Sequence, residues 1–169
     1  MHHGPPREHS GATPEQGQWH SLCLLGVPVD LFLKSQQHTD DLVRELWLVS
    51  ESDADHGLRA LERAADAYAR RAHVVRNASL EAVADARERG DTMIDLRLRV
   101  PPGTAELTVQ WAELLERLDE LCRAGTLLTL PASEEVRRFR RWYAAETLRQ
   151  LRDGHAPRGF HSDQDRQFA

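Results

Sequence analysis

Two groups of side chains in this sequence have the types and spacing that recognition chemistry requires. The first is Ser35, Gln36, His38 and Asp41, within the polar run KSQQHTDD from Lys34 to Asp41. On a helix, Ser35 and His38 fall where a core-facing stripe would carry Leu or Ala. His38 and Asp41 are three residues apart and can meet on the helix surface. A hydroxyl, an amide, an imidazole and a carboxylate held this close suit a small polar pocket or an interface. A turn near solvent, with His38 at its rim, accounts for the same residues. The pair makes no metal site without further ligands.

The second group is the run Arg137, Arg138, Arg140 and Arg141. Guanidinium groups form directional, often bidentate bonds to acidic partners. Arg137, Arg138 and Arg141 are therefore the candidate interaction surface. Glu134, Glu135 and Glu146 lie within helical reach, so local ion pairs are the competing explanation. Weaker candidates are the acidic loop with Asp53, Asp55 and His56, and the N-terminal histidines His2, His3 and His9. The loop lacks the glycine and terminal glutamate of a calcium hand. No physiological metal is expected at either place.

The familiar motifs are absent. The chain holds neither a G-x-x-x-x-G-K-[ST] loop nor a G-x-G-x-x-G turn, so it shows neither common phosphate cradle. It has no G-x-S-x-G elbow, no H-E-x-x-H and no C-x-x-C pair. No catalytic residue, cofactor or metal is expected. Carboxylates alternate with arginine in ELLERLDEL, the pattern of a solvated helical face. Cys23 and Cys122 fall in expected core elements and are read as free buried thiols.

The elements that must position these groups follow from periodicity. Leu22 to Val27 is nearly all apolar and reads as a central strand closed by Pro28. Asp30 caps a helix carrying Leu31, Leu42, Leu46 and Val49. Leu58, Leu61, Ala65, Tyr68, Ala72 and Val75 recur at helical steps, and Asn77 or Ser79 begins another short helix ending at Gly90. Met93 to Val100 alternates as a strand with one buried face. Pro101 and Pro102 stop it, and Thr104 is the expected cap of a helix bearing Leu107, Trp111, Leu114, Leu118 and Cys122. Trp111 is expected to be buried. Leu127 to Leu130 reads as a third, buried strand, and Ser133 caps a last helix with Val136, Phe139, Tyr143, Thr147 and Leu151 inward. The expected fold class is helix-rich α/β, in the order β-α-α-α-β-α-β-α. Its sheet has three strands, at least partly parallel because a helical crossover of this length permits it.

Of the 169 residues, 40% are hydrophobic and 29% charged, which suits one soluble domain with a real core. Residues 1–18 are expected to be a disordered tail, 19–154 the domain, and 155–169 a flexible tail. The net charge of −5 argues against a general nucleic-acid binder. No apolar run reaches the roughly 20 residues that span a bilayer. The expected location is the cytoplasm. Lys34 is the only lysine, a usage that fits a GC-rich bacterial genome.

LPASEEVRRFRRWYAAETL is similar to the opening strand and helix of anti-sigma-factor kinases of the histidine-kinase-like ATPase class. More broadly, LLGVPVDLFLKSQQHTDDLVREL and LCRAGTLLTLPASEEVRRFRRWY resemble small actinobacterial proteins of unassigned activity. These are associated with partner-switching systems of phosphatases, anti-sigma kinases and their antagonists. The broader resemblance spans most of residues 20–155. It implies a non-enzymatic regulator that works through protein contacts, with a signalling protein as partner. The asparagine-bearing helix and glycine-rich lid that bind ATP in the kinases have no counterpart, so ATP binding is not implied. The alternative from the residues themselves is an enzyme or small-ligand binder using Ser35, Gln36, His38 and Asp41. The residues are compatible with a monomer and with a homo-oligomer.

Overall fold

The computed structural model describes residues 18–52 and 56–160. Within them the chain forms β1 (His20–Pro28), α1 (Val29–Ser52), α2 (His56–Glu88), β2 (Met93–Val100), α3 (Thr104–Arg123) and α4 (Glu134–Leu151). The expected three-stranded, partly parallel sheet is corrected. β1 and β2 form a two-stranded antiparallel sheet, and the element order is β-α-α-β-α-α. Two misreadings produced the difference. The first was a break at Asn77 or Ser79. No glycine or proline lies between Leu58 and Arg89 to end the helix, and Ser79 Oγ bonds back to the carbonyl of Val75 at 2.9 Å inside one continuous α2.

The second misreading was the strand at Leu127 to Leu130. Only Leu127 is buried, at 2% exposure, whereas Leu128 and Leu130 are 91% and 80% exposed. The backbone groups of this segment bond to side chains of α1 rather than to a strand. Its apolar composition therefore does not report burial. The cap of α3 also differs. Gly103, at φ 80°, occupies the N-cap position that Thr104 was expected to fill. Thr104 is the first helical residue, and its hydroxyl donates to the Pro101 carbonyl at 2.7 Å. A left-handed φ is cheap for glycine, which fits the site. Ser133 does cap α4, accepting from the Val136 N–H at 3.3 Å.

The sheet places Leu22, Leu24, Leu96, Leu98 and Val100 on one face. Its register shifts between Leu24 and Val27, where Gly26 has φ 61° and donates to Asp95 Oδ1 at 2.8 Å. The extra residue lets Val27 turn back into the core. The first apolar cluster joins this face to Phe32 of α1, Val83 and Ala86 of α2, and Val136 and Phe139 of α4. Phe160, beyond α4, completes it, and its N–H donates to the Leu25 carbonyl at 3.1 Å. The second cluster lies among the helices. It holds Leu42 and Leu46 of α1, Leu58 and Ala65 of α2, Leu114, Leu115, Leu118 and Cys122 of α3, and Leu127. Each fully buried Leu contributes on the order of 2 kcal/mol. α1 runs through both clusters, and its polar middle turn lies between them.

Candidate functional site

Between Phe32 and Leu42, α1 turns Ser35 and Thr39 inward, both buried. Arg140 of α4 meets them. Its Nη2 donates to Thr39 Oγ1 at 2.9 Å and to the Ser35 carbonyl at 3.3 Å, and its Nε donates to Ser35 Oγ at 3.3 Å. The same Nη2 stands 3.0 Å from His38 Nδ1. A guanidinium can only donate, so Nδ1 is the acceptor and Nε2 carries the proton. Nε2 then donates to the Leu130 carbonyl at 2.7 Å. One arginine thus ties α4 to α1 and, through His38, to the segment before α4.

Asp119 of α3 lies on the other side of this arginine. Its side chain is 2% exposed, and its Oδ2 is 3.9 Å from Arg140 Nη1. Its Oδ1 accepts from the Ala132 N–H at 3.1 Å. Burial lowers the Arg140 pKa from the ordinary arginine value, and Asp119 and then Glu116 oppose that shift. Arginine stays charged under such conditions. The pair therefore holds two opposite charges between two apolar clusters.

A cavity of about 160 Å³ opens beside this pair, bounded by all four helices. Phe32, Ala72, Val75, Leu115 and Phe139 give it apolar walls, and Ser35, Thr39, Arg140 and Asp119 line one part of it. Tyr68 of α2 and Trp111 of α3 form a flat side, stacked at 3.8 Å between ring centres and 7° between planes. Such a stack contributes about 0.5–1.5 kcal/mol beyond its buried area. Burial raises the hydroxyl pKa of both lining tyrosines, with Tyr143 pushed up to about 12 against an opposing hydrogen bond to Ser79. Both stay neutral donors near neutral pH. Arg76 lines the cavity and reaches Asp40 Oδ1 and Oδ2 at 2.7 and 2.9 Å, joining α2 to α1.

The segment from Leu127 to Pro131 lies along α1. Glu45 accepts from the Leu128 N–H and, at 2.7 Å, from the Thr129 N–H. Burial alone would raise the Glu45 carboxyl, but these hydrogen bonds outweigh it and hold the carboxyl below the usual value. The strip is therefore fixed by Glu45, His38 and Asp119, and it presents Leu128 and Leu130 outward.

The residues expected to form the polar pocket divide. Ser35 and Gln36 line the cavity, and His38 bonds to Arg140 at its edge. Asp41 faces away and bonds to Gln37 and Arg44. Among the expected interaction arginines, Arg137 and Arg141 both bond to Glu134 at 2.7 Å, and Arg138 lies over the Phe160 ring at 5.9 Å. Sequence reasoning named Arg140 only as a member of the arginine run, outside the candidate surface, and passed over Asp119, although helical phase marks both. Arg140 is four residues after Val136 and three before Tyr143. Asp119 is four after Leu115 and three before Cys122, so it departs from the solvated face read for ELLERLDEL. Trp111 was expected in the core and instead forms a half-buried cavity wall.

Cys23 and Cys122 are both free. Burial, then Asp119, pushes the Cys122 thiol up to about 11, so it is a poor nucleophile at neutral pH. Asp53, Asp55, His2, His3, His9, residues 1–17 of the expected tail 1–18 and residues 161–169 of the expected tail 155–169 lie outside the described residues, as does the His56 side chain. Of the second tail, residues 155–160 are described, and Phe160 packs into the first apolar cluster. Among the described residues, no cluster of three or more His, Cys, Asp or Glu side chains has metal-binding geometry. No described helix is long and apolar enough to cross a membrane. No protein-family model, curated protein or solved structure matches this chain.

Proposed function

We propose that this chain is a regulatory protein that binds a small organic molecule in the cavity between its helices. The observation that carries the reading is a cavity with mostly apolar walls, a flat aromatic side and a cluster of polar groups around Arg140. That combination is typical of ligand sites. At about 160 Å³, its size matches cavities known to accept benzene. The fitting ligand class is a compact, flat molecule with a hydrogen-bonding group at one end. The reading assigns no catalytic step. Ser35, Thr39 and His38 bond to Nε and Nη2 of Arg140, and the buried Nη1, which has no hydrogen-bond partner among the described residues, is the donor offered to the ligand.

The output in this proposal is the leucine strip. Two exposed leucines on a strip held by polar side chains suit a protein contact. The strip is tied to the cavity through Arg140 and His38. The proposed partner class is a cytoplasmic signalling protein of a partner-switching system, on the sequence resemblance. The arginine face of α4 is the less favoured contact surface, because Arg137 and Arg141 already share Glu134.

The test is a thermal-shift screen of small aromatic acids, amides and alcohols against the full chain. A hit is expected to raise the melting temperature in a saturable way. Ala112 lines the cavity, so Ala112→Leu should abolish that shift while keeping the helical circular dichroism spectrum. A shift that persists undiminished in Ala112→Leu would place the ligand elsewhere and sink this reading, as would a screen without a single saturable hit.

A further inference from the structure

The two edges of the sheet are treated differently. The outer edge of β1 is closed. The Gln150 side-chain amide accepts from the Cys23 N–H at 3.0 Å and donates to the Cys23 carbonyl at 2.7 Å, as a neighbouring strand would. Glu146 holds that amide at 2.6 Å, and Gly159 makes a bridge to Leu25 further along. These contacts also set the phase of the ladder. Cys23 directs its backbone groups away from β2 and stands opposite Arg97. Residues paired in this way both point their N–H and C=O groups outward. Arg97 therefore presents its backbone at the far edge of β2, and by period two Asp95 and Arg99 do the same.

Among the described residues, no strand, loop or side chain bonds to that edge. Open edges of this kind are templates for pairing with another strand. We propose that the outer edge of β2 pairs antiparallel with β2 of a second copy of this chain, joining two small sheets into one of four strands. The side chains select the occupant and the register. A two-fold axis allows three nearby registers that keep the outward backbone groups facing each other. One sets Arg97 against Arg97 of the second copy at the axis, with Asp95 against Arg99 on either side of it. Another sets Arg97 against Arg99 twice, and each of these two leaves a like-charge pair directly opposite. Like charges directly opposite are destabilising. The third sets Asp95 against Arg97 of the second copy, once on each side of the axis. It also brings Leu96 to Leu96 and Ile94 to Leu98 on the apolar face. The same strip of sequence thus supplies both halves of an isologous contact. Asp95, Arg97 and Arg99 are exposed, and neither arginine has an ion pair within its own chain among the described residues.

Analytical ultracentrifugation of the full chain, from low-micromolar to hundred-micromolar concentration, tests the proposal. A monomer–dimer equilibrium is expected. Arg97→Glu and Asp95→Lys should each weaken the dimer by about tenfold or more, because each turns both attractive pairs repulsive. An equimolar mixture of the two variants should recover the dimer, since the opposed pairs then become Lys–Glu and Arg–Asp. Asp95→Lys also removes the contact to Gly26, so Arg97→Pro supplies a separate arm. It deletes an outward N–H that the β1–β2 ladder does not use, and it should give a folded monomer. A wild-type chain that stays monomeric throughout would overturn the proposal. So would a dimer of wild-type affinity in both Arg97→Glu and Arg97→Pro, or an equimolar mixture that stays monomeric while both variants remain folded.

Discussion

Arg140 and Asp119 show how strongly a residue's meaning depends on its neighbours. Neither was distinguishable by type from the many arginines and carboxylates around it. Each sits on an apolar helical stripe, where an ionised group is costly unless it is paired. Arg140→Met should therefore cost about 3–5 kcal/mol, because it leaves the Asp119 carboxylate buried without its guanidinium. Adding Asp119→Asn should recover part of that loss, since the stranded charge goes with it. Urea denaturation of both variants checks this. A single-variant cost below about 1 kcal/mol would show that Asp119 is solvated. Glu146 supports a prediction about pH. Burial by itself would raise its carboxyl, but hydrogen bonds from Arg149, the Arg158 N–H and Gln150 outweigh burial and hold it below the ordinary value of 4.5. A carboxyl depressed in the folded state stabilises the fold above its unfolded-state value. That contribution is lost as pH falls through the folded-state value. Glu146→Gln should therefore be less stable than wild type at neutral pH, with the gap narrowing only in acid, below the ordinary carboxylate range. A gap that stayed constant with pH would mean the residue acts by shape alone.

At the scale of elements, the Tyr68–Trp111 stack adds to the apolar contact that Leu58 and Ala65 of α2 make in the cluster with Leu114, Leu115 and Leu118 of α3. Trp111 is half-buried, so Trp111→Ala should cost less than deleting a fully buried aromatic, about 2–3 kcal/mol. The change also removes one side of the cavity, so any ligand found in the thermal-shift screen should bind Trp111→Ala more weakly. Unchanged ligand affinity would detach the stack from the site. The strip before α4 illustrates the opposite case. Leu128 and Leu130 touch little of their own chain, so replacing both with Ser should leave the melting temperature within about 2 °C of wild type, as for surface changes generally. Loss of more than about 1 kcal/mol would show that the leucines stabilise the fold rather than serve as a contact surface.

Across the described residues, the molecule is two apolar clusters joined through a polar layer and a cavity. Ala112→Leu should fill part of that cavity. Where the added atoms fit without strain, cavity filling stabilises proteins by about 0.5–2 kcal/mol. The expectation is a chain that is more stable, or equally stable, and insensitive to ligand. A loss of more than about 1 kcal/mol would show that the space is already filled by the movement of its walls.

Helix phase, glycine stops and the alternation of β2 were legible in the sequence because each depends on local periodicity. The Ser133 cap and the buried stripes of α1, α3 and α4 were legible for the same reason. The polarity of Ser35 to His38 also pointed to a special turn, because a core helix rarely carries such residues inward. What local pattern could not supply was the pairing of distant parts. Gln150 and Cys23 are far apart in the chain, yet one side-chain amide closes the edge of β1 and leaves it without a third strand. Glu45 and His38 likewise bind the backbone of Leu128 to Leu130, so an apolar run that reads as a buried strand lies exposed along a helix. Arg140 became a buried hub only when α1, α3 and α4 brought Ser35, Thr39, His38 and Asp119 around it. Periodicity states which face of an element is apolar. Only the packed structure decides what that face meets, because hydrogen-bond partners and desolvation depend on the groups that arrive from elsewhere in the chain.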